Sequence, residues 1–264
     1  MNFNNKNVWI TGASSGIGEA LAYGFSKKDA VLILSARNET ELNRVKQNCA
    51  FPEKVHIFPL DISKHEEVFT VGKKIIEQFG TIDILINNAG VSQRSLTAET
   101  SFNVDESLIT TNFLGTVAVT KSILSTMIKQ QSGQIVTITS IVGKIGTPMR
   151  SSYAASKHAL HGFFDSLRAE IYDKNVNILI VCPGFVKTNV SINALNSTGA
   201  KQGTMDVTTE NGLNPDHVAE KIIKAIDAKK EEVIIAGFRE KTAVLLKRFV
   251  PTLFSKIIRK SKVV

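Results

Sequence analysis

Thr11-Gly12-Ala13-Ser14-Ser15-Gly16-Ile17-Gly18 comes directly after the apolar run Val8-Trp9-Ile10, and its reading decides the fold. Glycines at 12, 16 and 18 let the chain turn tightly after a strand, admit a pyrophosphate to the backbone, and let the next helix lie close on a sheet. The helix N-terminus then offers unpaired N–H groups to phosphate oxygens. By itself such a glycine pattern marks only a tight strand-to-helix turn, so its meaning depends on the rest of the chain.

Downstream of the loop, strand and helix patterns alternate. Apolar, β-branched runs at Val8–Thr11, Val31–Ser35, Val55–Leu60, Ile82–Asn87, Ile135–Ser140, Val176–Cys182 and Val233–Ala236 are separated by helical patterns. The first helix begins near Gly16 and the second near Glu39; the third, Lys64 to Phe79, carries an apolar stripe of Val68, Val71, Ile75, Ile76 and Phe79. Long helices are predicted from about Asp105 to Gln130 and from Ser151 to Lys174. The expected fold is α/β: a Rossmann-type, doubly wound, parallel seven-stranded sheet in a single domain.

The 264 residues suffice for a full core, and 43% hydrophobic with 21% charged residues argues against wholesale disorder. The N-terminus has no apolar targeting stretch, and no run of about 18 apolar residues occurs, so the expectation is a cytoplasmic protein that does not span a membrane. Cys49 and Cys182 lack metal-ligand spacing and read as reduced, buried thiols. His158 and His161 read as surface groups.

The formal charge of +8 is concentrated at one end. Eight basic residues and one acid between Arg239 and Val264 leave residues 1–238 almost neutral. In that tail Val244, Leu245, Leu246, Phe249, Val250, Leu253, Phe254, Ile257 and Ile258 interleave with Lys247, Arg248, Lys256, Arg259 and Lys260, and Pro251 divides it into two short helices. Such a segment suits peripheral contact with an anionic membrane surface through residues 240–264, at the inner face of a membrane; the alternative is an apolar face resting on the domain or on a second subunit. Nucleic-acid binding is not expected, because no recognition motif accompanies the basic residues.

Domain organisation is therefore read as a cofactor-binding and catalytic body, residues 1–238, followed by the tail, 239–264. Within the body, residues from about 188 to 214 are rich in Asn, Ser, Thr and Gly and interrupt the alternation before Asn214-Pro215-Asp216 starts a helix. Coming after the sixth strand, this stretch would overhang the carboxyl edge of the sheet, where open α/β folds bind ligands. It is expected to be a mobile substrate lid, against the alternative of a tolerated surface insertion.

Far from the glycine loop, Ser140 precedes Tyr153-Ala154-Ala155-Ser156-Lys157. Side chains four apart on a helix lie about 5–6 Å apart at Cβ, so the Lys157 ammonium can lower the pKa of the Tyr153 phenol and poise it as an acid/base. Ser140, at a strand end, can hydrogen-bond a carbonyl oxygen. Tyr23 and Lys27 repeat the spacing, but Ile10 stands where a serine would be needed, and that pair reads as helix surface and packing. Gly12-Ala13-Ser14-Ser15-Gly16 also matches a hydrolase nucleophile elbow, with His217 the one histidine beyond the sixth strand. That reading leaves Gly18, Arg37 and the Ser140/Tyr153/Lys157 set unexplained.

Many dinucleotide sites carry an acid after the second strand for a ribose 2′-hydroxyl; here the chain reads Leu34-Ser35-Ala36-Arg37-Asn38. An arginine there can pair with a 2′-phosphate, which favours NADP(H) over NAD(H).

From Lys6 to about Ala236 the chain resembles the short-chain dehydrogenase/reductase family, with its motifs in order. The resemblance implies phosphate contacts at Gly12, Ser14, Ser15, Gly16, Ile17 and Gly18, with Arg37 and Asn38 by the adenosine ribose. It implies Asp61 and Ile62 at the adenine, although Asp61 also reads as a helix cap. Asn88, Ala89 and Gly90, with Tyr153 and Lys157, would stand beside the nicotinamide ribose. Pro183, Gly184, Val186 and Thr188 would receive the carboxamide.

The implied catalytic four are Asn112, Ser140, Tyr153 and Lys157, with Asn112 holding a water that relays protons to Lys157. Taken from the residues alone, Asn112 marks a helix irregularity. The Gly90–Ser95 segment and the Ser35–Arg37 turn resemble NADP-dependent, hydroxysteroid-dehydrogenase-like or retinol-type members acting on apolar carbonyls and alcohols. The expected enzyme interconverts a carbonyl and an alcohol without a metal, as a homodimer or homotetramer through the helices predicted at 105–130 and 151–174. A cofactor-binding sensor or scaffold without turnover is the other reading on the same fold.

Overall fold

Strand β1 (Asn7–Thr11) lies between β2 (Val31–Ser35) and β4 (Ile84–Asn87), and the parallel sheet runs β3-β2-β1-β4-β5-β6-β7. The remaining strands are β3 (Val55–Ile57), β5 (Gly133–Ile138), β6 (Val176–Pro183) and β7 (Glu232–Ile235). The computed structural model describes residues 2–260; Met1 and tail residues 261–264, Lys262 among them, lie outside the described residues.

Alternate strand residues build two cores. Val8, Ile10, Leu32, Leu34, Ile84 and Ile86 face α1 (Gly16–Ser26), α2 (Glu39–Gln47) and α8 (Pro215–Asp227). Trp9, Ile33, Leu85, Ile135, Ile178 and Ile180 face α3 (His65–Phe79), α5 (Thr116–Lys129) and α6 (Ser151–Glu170). Burial on both faces explains why the strands read as continuous apolar runs. The order reverses between β1 and β4, which opens a crevice at their carboxyl ends.

Several boundaries differ from the sequence-based expectation; β5, expected at Ile135–Ser140, runs from Gly133 to Ile138, which leaves Ser140 beyond the strand. β3 is an edge strand that ends at Ile57; beyond it only the Phe58 and Leu60 N–H groups still reach β2's side, at Leu34 and Ala36 carbonyls. β4 starts at Ile84. The helix predicted from Asp105 begins instead at α4 (Phe102–Ile109) and passes through a π-helical turn, Thr110–Gly115, into α5. α6 stops at Glu170, where the chain turns through Asn175 at φ +52° toward β6.

Asn214 caps α8 by accepting from the Asp216 N–H, with Pro215 in the first turn, and Pro251 separates α9 (Phe238–Phe249) from α10 (Pro251–Ile258), both as predicted. The 188–214 stretch contains one short helix, α7 (Val207–Glu210). Both cysteines are buried and free. Among the described residues, no helix is long and apolar enough to cross a membrane.

His161 corrects the surface reading: it is buried on α6, with Nε2 3.3 Å from Thr139 Oγ1 and 3.7 Å from Cys182 Sγ. Its helical face points at β6 rather than at water, and burial pulls its pKa down to about 4. Glu232 lies 3.8 Å from its Nδ1, but the Lys144 ammonium holds that carboxylate at 2.6 Å, and burial raises the Cys182 thiol to about 11.

Candidate active site

The glycine loop closes on the end of β4 and on the turn after β6. Gly12 sits at φ +65°, where a Cβ would come within 2.7 Å of the Ala89 Cα; at Gly16, φ +60°, it would meet Thr188 Cγ2 at 2.9 Å. At Gly18 an added Cβ would strike the Gly12 carbonyl oxygen. Asn88 pins the same loop, its amide donating to the carbonyls of Thr11 (3.1 Å) and Gly12 (3.0 Å). Thr11 Oγ1 accepts from the N–H groups of Asn88 and Ala89.

Ser15, the N-cap of α1, makes no side-chain cap bond, so the first amides of that helix remain available to an anion. A cradle that no side chain could occupy, beneath an uncapped helix N-terminus, fits a dinucleotide pyrophosphate.

Arg37 is exposed at the end of β2, next to Asn38, whose side chain is engaged as the N-cap of α2 by accepting from the Glu41 N–H. Asp61 accepts from both the N–H (3.0 Å) and the hydroxyl (2.7 Å) of Ser63, the turn geometry that leads into α3. Ile62 is buried with its carbonyl against Gly115. Arg44 was not singled out from the sequence. From α2 it donates to Glu19 at 2.7 Å and to the Ser14 carbonyl at 3.3 Å, bracing the glycine loop. Locally its guanidinium meets Glu41, three residues back; the contacts that brace the loop are 25 and 30 positions away and leave no local signal in the sequence.

At the other side of the crevice α6 presents Tyr153 and Lys157. Lys157 is buried; Nζ donates to the Ile138 carbonyl at 2.9 Å and lies 5.9 Å from the centre of the Tyr153 ring. A Cβ on Gly90 would stand 3.6 Å from Lys157 Nζ and 3.0 Å from Asn112 Oδ1, so both groups converge on this glycine. Asn112, in the π-helical turn, is fully buried. Its amide donates to the Val91 carbonyl (2.9 Å) and Ser156 Oγ (3.1 Å), and its Oδ1 accepts from the Val91 N–H (2.8 Å). The irregularity read from the sequence is this π turn, which re-aims one residue inward.

Ser140 lies two residues beyond β5, caps the 3₁₀ turn Ile141–Gly143, and hydrogen-bonds Tyr153. Burial raises the Tyr153 pKa above its ordinary value; the influences that oppose it are Arg150, the Ser140 hydrogen bond and Arg94. This corrects the electrostatic expectation, in which Lys157 supplied the lowering charge. Lys157 is itself desolvated, and its pKa falls to about 8.

The Gly90–Ser95 segment proves to be a junction. Gln93, fully buried, accepts at Oε1 from the N–H groups of Ser152 (3.0 Å) and Tyr153 (3.2 Å), so it caps α6 from outside the helix. Arg94 forms a buried ion pair with Asp206 of the 188–214 stretch, with Nε 2.8 Å from Oδ2. Arg150 Nη2 stands 3.8 Å from the same oxygen. Leu195 exchanges backbone bonds with Ser92 and Arg94.

At the end of β6, Gly184 donates to the Ile235 carbonyl, Phe185 N–H bonds Glu240 Oε1 at 2.9 Å, and Val186 pairs with Leu213. Of the decoys, Tyr23 bonds Glu19 Oε1 at 2.8 Å within α1, and among the described residues no hydrogen bond joins His217 to Ser14.

Residues 6–198 match the family profile described as short chain dehydrogenase. A Drosophila melanogaster protein, "Dehydrogenase/reductase SDR family protein 7-like", is 40% identical over 265 residues, which cover 98% of this chain and 81% of that protein. The Xenopus laevis "Dehydrogenase/reductase SDR family member 7B" is 40% identical over 258 residues, covering 95% and 80%. Among solved structures, a Burkholderia phymatum short-chain dehydrogenase/reductase in complex with NAD superposes with a TM-score of 0.84 over 96% of both chains at 23% identity, a likeness of fold. An alcohol dehydrogenase from the archaeon Thermococcus sibiricus, complexed with 5-hydroxy-NADP, gives 0.75 at 29% identity over 87% of this chain and 95% of its own. With a glycine cradle at the switch point of a parallel sheet and a buried lysine beside a tyrosine across the crevice, the chain belongs to the short-chain dehydrogenase/reductase family and is an NAD(P)-dependent oxidoreductase.

Proposed function

We propose that the protein interconverts a carbonyl and a primary or secondary alcohol on an apolar small molecule, with NADP(H) as the preferred cofactor and Tyr153 as the acid/base. The observation that carries this reading is the convergence of Ser140, Tyr153 and Lys157 at the carboxyl edge of β5, with the Tyr153 side chain hydrogen-bonded to Ser140 and Lys157 anchored on Ile138. When bound, the nicotinamide group supplies or accepts a hydride at the substrate carbon.

The chain's own residues handle the oxygen. Ser140 donates a hydrogen bond that orients a substrate oxygen toward the Tyr153 hydroxyl. Tyr153 gives its proton to the developing alkoxide in reduction and takes one up in oxidation. Lys157 and Asn112, converging on Gly90, stand where a proton would be replenished. Buried cations at Arg150 and Arg94 favour the phenolate.

The NADP(H) preference rests on Arg37, exposed where an acid would otherwise meet the ribose, and on the Arg44 brace beneath Ser14. The apolar substrate reading draws on Val190 and Val207, both exposed on the 188–214 stretch, which we take as the substrate lid. Association as a homodimer or homotetramer would use α4, α5 and α6, with Phe102 on α4 and Leu114 in the π turn before α5 exposed.

The test is to monitor NADPH and NADH absorbance against apolar ketones, aldehydes and secondary alcohols. Turnover preferring NADPH, reduced about 10²–10⁴-fold in Tyr153→Phe with NADPH binding intact, supports the assignment. Turnover unchanged in that variant removes Tyr153 from the chemistry. NADPH binding without turnover on any substrate would favour a sensor.

A further inference from the structure

The two C-terminal helices divide their apolar residues between two faces. Phe254 is buried against Ile141 and Ile145, and Ala243, Val244, Leu246 and Ile258 join the same cluster. That inner face attaches the tail to the turn that Ser140 caps. The opposite face of α9 carries Phe238, Leu245 and Phe249, which are 85%, 58% and 73% exposed and lie on one stripe at helical spacing. On α10, Leu253 and Ile257, four apart, are exposed as well.

Cations frame this outer stripe. Arg239, Lys241 and Arg248 on α9, with Lys256, Arg259 and Lys260 on or just beyond α10, are all exposed. The tail's one acid, Glu240, is turned inward: it accepts from the N–H groups of Gly237 (2.6 Å) and Phe185 (2.9 Å) and does not offset the outer charge. Lys247 leans back over the Phe254 ring, 5.8 Å from its centre.

We propose that this outer face docks the protein on an anionic lipid bilayer, with Phe238, Leu245, Phe249, Leu253 and Ile257 entering the boundary between headgroups and acyl chains. The surrounding lysines and arginines then meet the headgroup phosphates and carboxylates. Apolar residues exposed singly need no explanation, but three on one face of α9 and two more a helical turn apart on α10 exceed scattered exposure. A pair of amphipathic helices with exposed apolar residues flanked by cations is the form that lies in a membrane interface.

A second copy is the weaker occupant, because a two-fold contact through the same face would set like charges against each other. Glu240 on Phe185 and Phe254 on Ile141 tie the docked face to the two turns at the carboxyl edge, so docking would hold the crevice beside the bilayer. The inference does not depend on the substrate proposed above.

The test is flotation of the full-length protein with vesicles of phosphatidylcholine alone or mixed with phosphatidylserine, for the wild type and two double variants, Phe249→Ser with Leu253→Ser and Arg248→Glu with Lys256→Glu. Because all four side chains are exposed, the variants should keep the wild-type circular dichroism and Tm. The expected result is binding to the mixed vesicles at least about tenfold tighter than to phosphatidylcholine alone, reduced about tenfold or more in each variant. The proposal is overturned if the wild type does not float with anionic vesicles, or if both variants float as it does. It is also overturned if light scattering shows that the Phe249/Leu253 variant has lost a dimer while vesicle binding is unchanged, which would assign the face to a second copy.

Discussion

Burial acts on Tyr153 and Lys157 against the charged form of each, raising the phenol and lowering the ammonium to about 8 from 10.5. For Lys157 this makes a statement about stability. Between pH 8 and 10.5 the unfolded chain still holds the proton that the folded, cofactor-free protein has released, so stability rises with pH across that window. Relative to Lys157→Met, the wild type should gain about 3 kcal/mol between those limits, read from urea midpoints of the cofactor-free proteins. Parallel curves for the two proteins would mean that Lys157 is solvated. The Tyr-Lys spacing was legible in the sequence because it is local to one helix; the electrostatics were not, since Arg94 and Arg150 reach Tyr153 from a loop and a helix cap whose approach is tertiary.

At the scale of elements, α6 is held from outside. No side chain of its own N-cap residue, Arg150, caps it; Gln93 does so across the fold, from 59 and 60 positions away. Met149, immediately before, adopts φ +64° to bring the chain into that position. Gln93→Ala should cost about 1–2 kcal/mol, as losing a cap and leaving two amides unpaired does, and should lower kcat by disturbing the first turn that carries Tyr153. Gln93→Glu, which keeps an acceptor, should restore most of both, and thermal denaturation with steady-state kinetics on the two variants separates these outcomes. The helices and strands themselves were readable from periodicity. What was missed lay at ends: β3 stopped early because an edge strand has one neighbour, whereas the irregularity that Asn112 signalled inside the long helix is the π turn.

Across the whole molecule, the buried Arg94–Asp206 pair fastens the 188–214 stretch to the segment after β4 and, through Gln93, to α6. Removing the carboxylate with Asp206→Ala leaves two buried guanidiniums without it, and destabilisation of about 3–5 kcal/mol is expected. Faster proteolysis confined to residues 188–214 at temperatures well below unfolding would show that the stretch is released first; uniform cleavage would show that the pair is one support among many. The alternation of seven apolar runs with helical patterns determined the doubly wound sheet, and the glycine loop and the Ser140, Tyr153 and Lys157 positions could be placed on it, because local periodicity and the switch-point rule set where such residues emerge. Only the tertiary structure decided the roles of Arg44, Gln93, Arg94 and Arg150, the burial of His161, and the division of the basic tail into an inner and an outer face. Each of those depends on which distant side chain or surface a residue meets, and a linear pattern encodes period and composition but not partner.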